Sequence, residues 1–140
     1  MAAMVSFRSV VDPSDCDFLG HMNVSRYFAA CSYGVFAIQS EMGLTANDMR
    51  EGRRLSFAVV HAESDFRAEL SAGEAIRLET SIVELGSKSL TFRHKLIRSD
   101  DGAIAFETIF KCVLLDLGAR QAATIPEDVR KKATDWLEQG

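Results

Sequence analysis

Apolar residues recur at helical spacing over residues 24–42, which predicts one long helix. Asn23 is expected to cap the start of this helix and Gly43 to end it. Residues 28–38 are apolar or small nearly all round, so the middle of the helix is expected to be buried on all sides. The β-forming residues of segment 4–11 predict a first strand ahead of it.

After residue 54 the pattern changes to alternation with a period of two, which predicts strands separated by short turns. Apolar positions alternate over residues 55–59, 76–82 and 90–96, and residues 103–115 form a long run of β-forming residues. Pro126 is expected to open a short helix that runs to about residue 138. The order predicts a single α+β domain over residues 1–140, with a curved antiparallel sheet around a long central helix and a short C-terminal helix. Such a sheet leaves an open edge strand that a second copy can pair with.

The composition of the 140-residue chain narrows the range of partners. The net charge is −4 and the pI is about 5.4, which argues against a nucleic-acid-binding surface. Its three cysteines are odd in number and widely spaced, so we expect reduced thiols in a cytoplasmic protein. No signal peptide and no apolar run long enough to cross a membrane is expected. A small-molecule ligand or a protein partner fits these properties better.

The segment between the first strand and the long helix is the richest in chemistry. Asp15, Asp17, His21 and Asn23 lie within a few residues of the helix start. The first amides of a helix are free to donate, and the helix dipole is positive there, so this end can hold a developing oxyanion. A carboxylate just upstream could attack a polarised carbonyl, or could activate a water molecule to do so.

A metal site explains this segment poorly. Asp15-x-Asp17-x-x-Gly20 superficially matches the start of a calcium loop, but Leu19 and Arg26 stand where oxygen ligands are needed. Zinc would require a second pair of ligands beside the cysteine and histidine of this segment. We therefore expect neither a metal nor a cofactor.

Asp15-x-Asp17-x-x-Gly20-His21-x-Asn23-x-x-x-Tyr27 resembles the signature of the 4-hydroxybenzoyl-CoA thioesterase branch of the hotdog superfamily. The segments 59–70 and 82–92 are also similar to that branch, so the resemblance covers roughly residues 4–116. The resemblance implies a hotdog fold and an acyl-CoA thioesterase. Such an enzyme hydrolyses an acyl-CoA thioester to the free acid and CoA.

The resemblance also implies a role for each matching residue. Asp17 matches the catalytic carboxylate, which acts as nucleophile or general base. Gly20 and His21 match the turn whose backbone amides polarise the thioester carbonyl. Asn23 and Tyr27 match residues that shape this turn and the pocket.

Further residues are implied in substrate binding. Active sites of this branch lie at the dimer interface, so His61 and Glu63 are expected to line the site from the other subunit. The turn with Lys88 and Ser89 resembles the CoA-binding region, where the lysine would meet a phosphate. Arg67 is a weaker candidate for the same contact. A homodimer is implied, with a dimer of dimers as the alternative.

Other interpretations remain open for several of these residues. Asp17 could be a loop acid, His21 a residue that fastens the loop, and Asn23 a helix cap. His61 and His94 fall on predicted strands, and we expect each of them at the surface or at an edge of the sheet. Two other functions are also open: a hotdog hydratase acting on an enoyl thioester, and a module that binds acyl-CoA without catalysis.

Overall fold

The computed structural model describes residues 3–139 and contains six strands and three α-helices in that range. The elements in chain order are β1 (Met4–Val10), α1 (Val24–Glu41), α2 (Ala46–Arg50), β2 (Leu55–Phe66), β3 (Ala75–Leu85), β4 (Ser89–Arg98), β5 (Ile104–Asp116), β6 (Gln121–Ala122) and α3 (Glu127–Ala133). Short 3₁₀ turns lie at Pro13–Asp15 and Thr134–Trp136. The long helix, the four predicted later strands and the C-terminal helix are confirmed, whereas α2 and β6 were not predicted.

The strands form one antiparallel sheet in the order β1-β3-β4-β5-β2, with β6 added to β5. Helix α1 packs on the inner face, where alternate side chains of the central strands are buried. The fully buried strand residues include Leu78 and Ile82 on β3, Phe92 and Leu96 on β4, and Phe106 on β5. A curved sheet around one long helix is the hotdog fold, so the expected fold class is confirmed.

Gly34 allows α1 to approach the sheet closely. A Cβ atom at this position would lie 2.5 Å from Leu78 Cδ2 and 2.8 Å from Ser6 Oγ, so no larger residue fits without movement. The expectation that the helix is buried on all sides is wrong for the single chain. Tyr33 is 61% exposed, although its ring stacks on the phenylalanine ring of β1, and Phe36 is 49% exposed.

A buried polar chain runs beneath α1. His94 Nδ1 lies 2.8 Å from Thr80 Oγ1, which lies 2.6 Å from Ser6 Oγ. His94 Nε2 has no hydrogen-bond partner within residues 3–139. Burial lowers the pKa of His94 to about 3, because a charged imidazole is not solvated there. The expected exposed or edge position of His94 is wrong, since it shares the inward face of β4 with Phe92 and Leu96.

Strand β2 forms one edge of the sheet and is largely exposed. Val59 is 47% exposed, Val60 is 64% exposed and Phe66 is 50% exposed. This edge therefore presents unpaired backbone groups together with apolar side chains. Within the part of the chain that the structure describes, no helix is both long enough and apolar enough to cross a membrane.

Candidate active site

The loop before α1 folds into a small hairpin. Cys16 and Met22 form an antiparallel bridge, and the Asp17 N–H donates to the His21 carbonyl at 3.2 Å. The Gly20 N–H donates to the Asp17 carbonyl at 3.0 Å, which closes the turn. Gly20 has a φ of +88°, a left-handed conformation that favours glycine. The sequence therefore turns back on itself just before the helix begins.

The hairpin places the candidate catalytic side chains on one face. Residues opposite each other across an antiparallel pair share a face, and so do residues two positions apart along one strand. Asp17, His21 and Asn23 therefore lie together, while Cys16 and Met22 point to the other side. Met22 is 3% exposed and belongs to the core, so the opposite face is the anchor of the hairpin.

The Asp17 carboxylate is held by two donors. Asn23 Nδ2 donates to Oδ2 at 2.7 Å, and the Leu19 backbone N–H donates to Oδ1 at 2.8 Å. The hydrogen bond from Asn23 is the main cause of a lowered pKa at Asp17, and the Leu19 amide adds to it. Partial burial opposes this shift, and the nearby His21 reinforces it slightly. The carboxylate is thus ionised and fixed in direction near the start of α1.

Asn23 links this carboxylate to the helix. Its Oδ1 accepts from the Ser25 N–H at 2.9 Å, so the expected helix cap is confirmed. The same side chain therefore caps α1 and holds Asp17. Within residues 3–139 the Val24 N–H makes no hydrogen bond, which leaves this first helical amide available to an oxyanion.

A cavity of about 320 Å³ adjoins the hairpin. Its wall consists mostly of apolar groups from the hairpin, α1 and the connection after β2. The lining residues are His21, Met22, Val24, Tyr27, Phe66, Arg67, Ala68 and Glu69. Asp17 does not line this cavity in the single chain, but it adjoins the cavity through His21, its partner across the hairpin.

The aromatic rings of Tyr27 and Phe66 line this cavity, and three further phenylalanine rings pack around them without lining it. The ring centroid of Tyr27 lies 5.2 Å from that of Phe66 and 5.1 Å from that of Phe106. Phe28 stands edge-on to Phe106 at 5.5 Å and stacks on Phe110 at 6.3 Å. Tyr27 is 3% exposed, and burial is the main cause of its raised pKa. Tyr27 is thus both a packing residue and a cavity residue.

Two charged residues line the mouth of the cavity. Arg67 Nη2 lies 3.2 Å from Glu107 Oε1 and 4.0 Å from Asp65 Oδ2, so its charge is already countered within the chain. Glu69 Oε1 lies 3.7 Å from His21 Nε2. Sequence reasoning did not single out Glu69. It follows β2 closely, but no spacing pattern links it to the hairpin.

The remaining predicted residues lie elsewhere on the chain. His61 and Glu63 are exposed on the edge strand β2, where His61 Nε2 lies 3.0 Å from Glu63 Oε1. Lys88 is exposed in the turn between β3 and β4. Ser89 borders a groove of about 470 Å³ on the outer sheet face, together with Lys111. The structure therefore brings only the residues of the hairpin, Tyr27 and Arg67 together within one chain.

A long helix within a curved antiparallel sheet, with a fixed carboxylate at the helix start, is the arrangement that the resemblance in sequence implied. The chain belongs to the thioesterase-like superfamily, whose family model matches residues 11–133. The match confirms the resemblance drawn from the sequence.

Individual relatives agree with this assignment. The chain is 31% identical over 93 residues to Protein THEM6 of Danio rerio, an alignment covering 65% of this chain and 44% of that protein. It is 23% identical over 133 residues to a 1,4-dihydroxy-2-naphthoyl-CoA hydrolase of Synechococcus elongatus, covering 94% and 93% of the two chains. The structure of SAV2348 from Staphylococcus aureus in complex with CoA superposes with a TM-score of 0.87 at 17% identity, covering 99% of this chain and 89% of that one. This structural likeness supports the fold.

Proposed function

We propose that the protein is an acyl-CoA thioesterase that hydrolyses a thioester to the free acid and CoA, with Asp17 as its catalytic carboxylate. The proposal rests on the arrangement of the hairpin, where Asp17, His21 and Asn23 share one face. Next to this face lies the N–H group of Val24, which makes no hydrogen bond within residues 3–139. Family membership and the relative named as a CoA hydrolase support the same reaction. A thioester bound at the cavity mouth would place its carbonyl near this amide.

The environment of Asp17 favours nucleophilic attack over proton abstraction. Its lowered pKa makes it a weak proton acceptor, whereas each oxygen retains a free lone pair beyond the one used by Asn23 or Leu19. Attack on the carbonyl would give a tetrahedral oxyanion that the Val24 N–H can stabilise. Collapse would expel CoA as its thiolate and leave the acyl group on Asp17.

Substitution of Asp17 by asparagine tests the proposal. Asp17→Asn preserves size and hydrogen bonding but removes the negative charge, so kcat is expected to fall by about 100-fold or more. The assay measures thiol release from a panel of acyl-CoA esters, and circular dichroism checks the fold. Full activity in a folded variant would show that the chemistry lies elsewhere. Binding of CoA esters without thiol release by the natural protein would instead indicate a non-catalytic module.

For CoA itself, we propose the outer groove beside Lys88 and Ser89. Lys111 contributes a second exposed cation to this face, and cations suit the phosphates of the nucleotide. Arg67 suits this contact less, because Glu107 and Asp65 already pair with it. Weaker binding of CoA to Lys88→Ala or Lys111→Ala than to the natural protein, measured by calorimetry, would support this assignment.

We also propose a homodimer paired along β2. The strand has 12 residues, lies at the sheet edge and carries exposed valines, so a second copy would satisfy its backbone groups. This pairing would bring His61 and Glu63 of β2 into the subunit contact. Val60→Lys should shift the sedimentation coefficient toward that of a monomer. Val10→Lys, at an exposed valine of the opposite edge strand β1, serves as the matched control and should leave the dimer intact.

A cytoplasmic setting forms part of the same proposal. Cys31 and Cys112 are buried free thiols, and burial raises the pKa of each to about 12. The structure has no disulfide among residues 3–139, in keeping with a reducing compartment. Fractionation of the source cells with an antibody to the protein tests the assignment.

A further inference from the structure

Glu69 is fixed opposite His21 by the backbone. The Met22 N–H donates to the Leu70 carbonyl at 2.7 Å, which ties the hairpin to the connection after β2. Leu70 is fully buried, and Glu69 lines the cavity beside His21. The Glu69 carboxylate and the His21 ring therefore meet at the cavity mouth, with Oε1 and Nε2 3.7 Å apart.

The hydrogen bonds of His21 determine what can lie between its ring and the Glu69 carboxylate. Its Nδ1 lies 3.3 Å from the Met22 carbonyl, which only accepts, so the proton resides on Nδ1. A neutral ring then presents a bare lone pair at Nε2 toward the Glu69 carboxylate, which is also an acceptor. Two hydrogen-bond acceptors repel each other unless a donor, such as a water molecule, bridges them. The geometry therefore fits a water molecule that donates both to Nε2 of His21 and to the Glu69 carboxylate.

We propose that His21 is the general base for the second half of the reaction, in which water cleaves the acyl group from Asp17, and that Glu69 is the positioning residue for His21. This inference rests on the proposed thioesterase function. Once Asp17 is acylated it carries no charge and cannot accept a proton, so a second base is required.

Protons and electron pairs balance in this step. A water O–H bond breaks, its proton moves to His21 Nε2, and the oxygen lone pair forms a bond to the acyl carbon. The bond from that carbon to the Asp17 oxygen then breaks, and the electron pair returns to Asp17 as carboxylate. The free acid ionises, the imidazolium gives its proton to solvent, and the CoA thiolate released earlier takes one proton from solvent.

The other ionisable groups facing His21 are less suited to this step. The guanidinium group of Arg67 donates hydrogen bonds and has no lone pair to offer. Tyr27 has a pKa raised by burial, so its phenol holds its proton. Glu69 is exposed, with 76% of its side chain accessible, and is better placed to stabilise the imidazolium than to hold a water by itself. His21 is the partner of Asp17 across the hairpin and has a ring nitrogen that can accept a proton.

Pre-steady-state thiol release tests the role of Glu69. The test uses Glu69→Gln and His21→Gln, with any acyl-CoA ester that the natural protein hydrolyses. Both should retain a fast burst of one thiol per chain, because acylation does not need the second base. The later steady phase should slow by about tenfold in Glu69→Gln and about 100-fold in His21→Gln. Hydroxylamine, which needs no general base, should accelerate that phase in both variants.

Glu41→Gln is the matched control, since Glu41 is an exposed carboxylate at the opposite end of α1. It should behave as the natural protein does. Equal slowing of both phases in Glu69→Gln, or kinetics equal to the natural protein, would overturn the role of Glu69. Full activity of Asp17→Asn, or no thiol release by the natural protein, would overturn the proposed thioesterase function and this inference with it. Loss of activity in Asp17→Asn together with unchanged kinetics in Glu69→Gln would overturn this inference but not the proposed thioesterase function.

Discussion

Replacement of His94 should flatten the dependence of stability on pH. The His94 ring is fully buried, and its Nδ1 bonds to Thr80 while its Nε2 is without a partner inside residues 3–139. His94→Asn keeps a polar atom near Thr80 but cannot titrate. The substitution leaves a small void, so some stability is lost at every pH. The change of stability with pH is therefore the informative quantity.

The size of the effect follows from the pKa of His94. The ring has a pKa of about 3 in the folded chain, against 6.5 for an exposed imidazole. The unfolded chain therefore binds a proton that the folded chain excludes, and stability falls as the pH drops from 6.5 toward 3. At about 1.4 kcal/mol for each unit of pKa, the loss between about pH 7 and pH 5 is about 2 kcal/mol. Carboxyl groups whose pKa is lowered in the folded chain, such as that of Asp17, also make stability fall as the pH drops, but they do so at lower pH.

Urea unfolding followed by circular dichroism measures this loss for the natural protein and for His94→Asn at several values of pH. Protein concentration is held constant, because dimer formation would otherwise shift the apparent stability. Between about pH 7 and pH 5 the variant should lose about 2 kcal/mol less than the natural protein. Parallel losses in the two proteins would refute the reasoning, since they would show that His94 is charged without penalty in the folded state.

Two further substitutions test the contacts around α1. Asn23→Ala removes the donor to Asp17 and the helix cap, so the acid limb of the pH–rate profile should move to higher pH and stability should fall by about 1 kcal/mol. Asn23→Ser restores the cap alone, so a recovered melting temperature with the acid limb still displaced would separate the two effects. Gly34→Ala should destabilise the fold by about 1–3 kcal/mol through overpacking against Leu78 and Ser6. Thermal melting measures this loss, and an unchanged melting temperature would contradict the close approach.

Much of the fold follows from periodicity alone. The alternation on β3, β4 and β5 predicted their buried faces, because each strand presents one face to α1. The same alternation would have placed His94 inside, next to Phe92, yet the polar character of histidine argued for the surface. On β2 the alternation covers only the first half, because the second half is exposed on both faces, so the extension of this strand past Val59 was implied by the family resemblance alone.

The candidate site was predictable only in part. The family resemblance singled out Asp17, His21 and Asn23, whereas the hairpin that brings them to one face is a finding of the structure. Glu69 belongs to a different segment, and it reaches His21 only because the Met22 N–H bonds to the Leu70 carbonyl. Such a backbone contact between distant segments leaves no spacing signal in one sequence. The positions of His61 and Glu63 in an assembly likewise depend on a second chain.

The small hairpin is held by its own main-chain bonds, by the bond from Met22 to Leu70, and by the packing of Cys16 and Met22 against the core. The aromatic rings that line the cavity, those of Tyr27 and Phe66, come from α1 and β2 instead. Exchanging Phe66 for a smaller residue would therefore enlarge the cavity while leaving the hydrogen bonds that hold the hairpin carboxylate undisturbed. Because the aromatic rings of the cavity and the hairpin come from separate parts of the chain, substitutions of these rings can change which substrates fit without altering the hairpin.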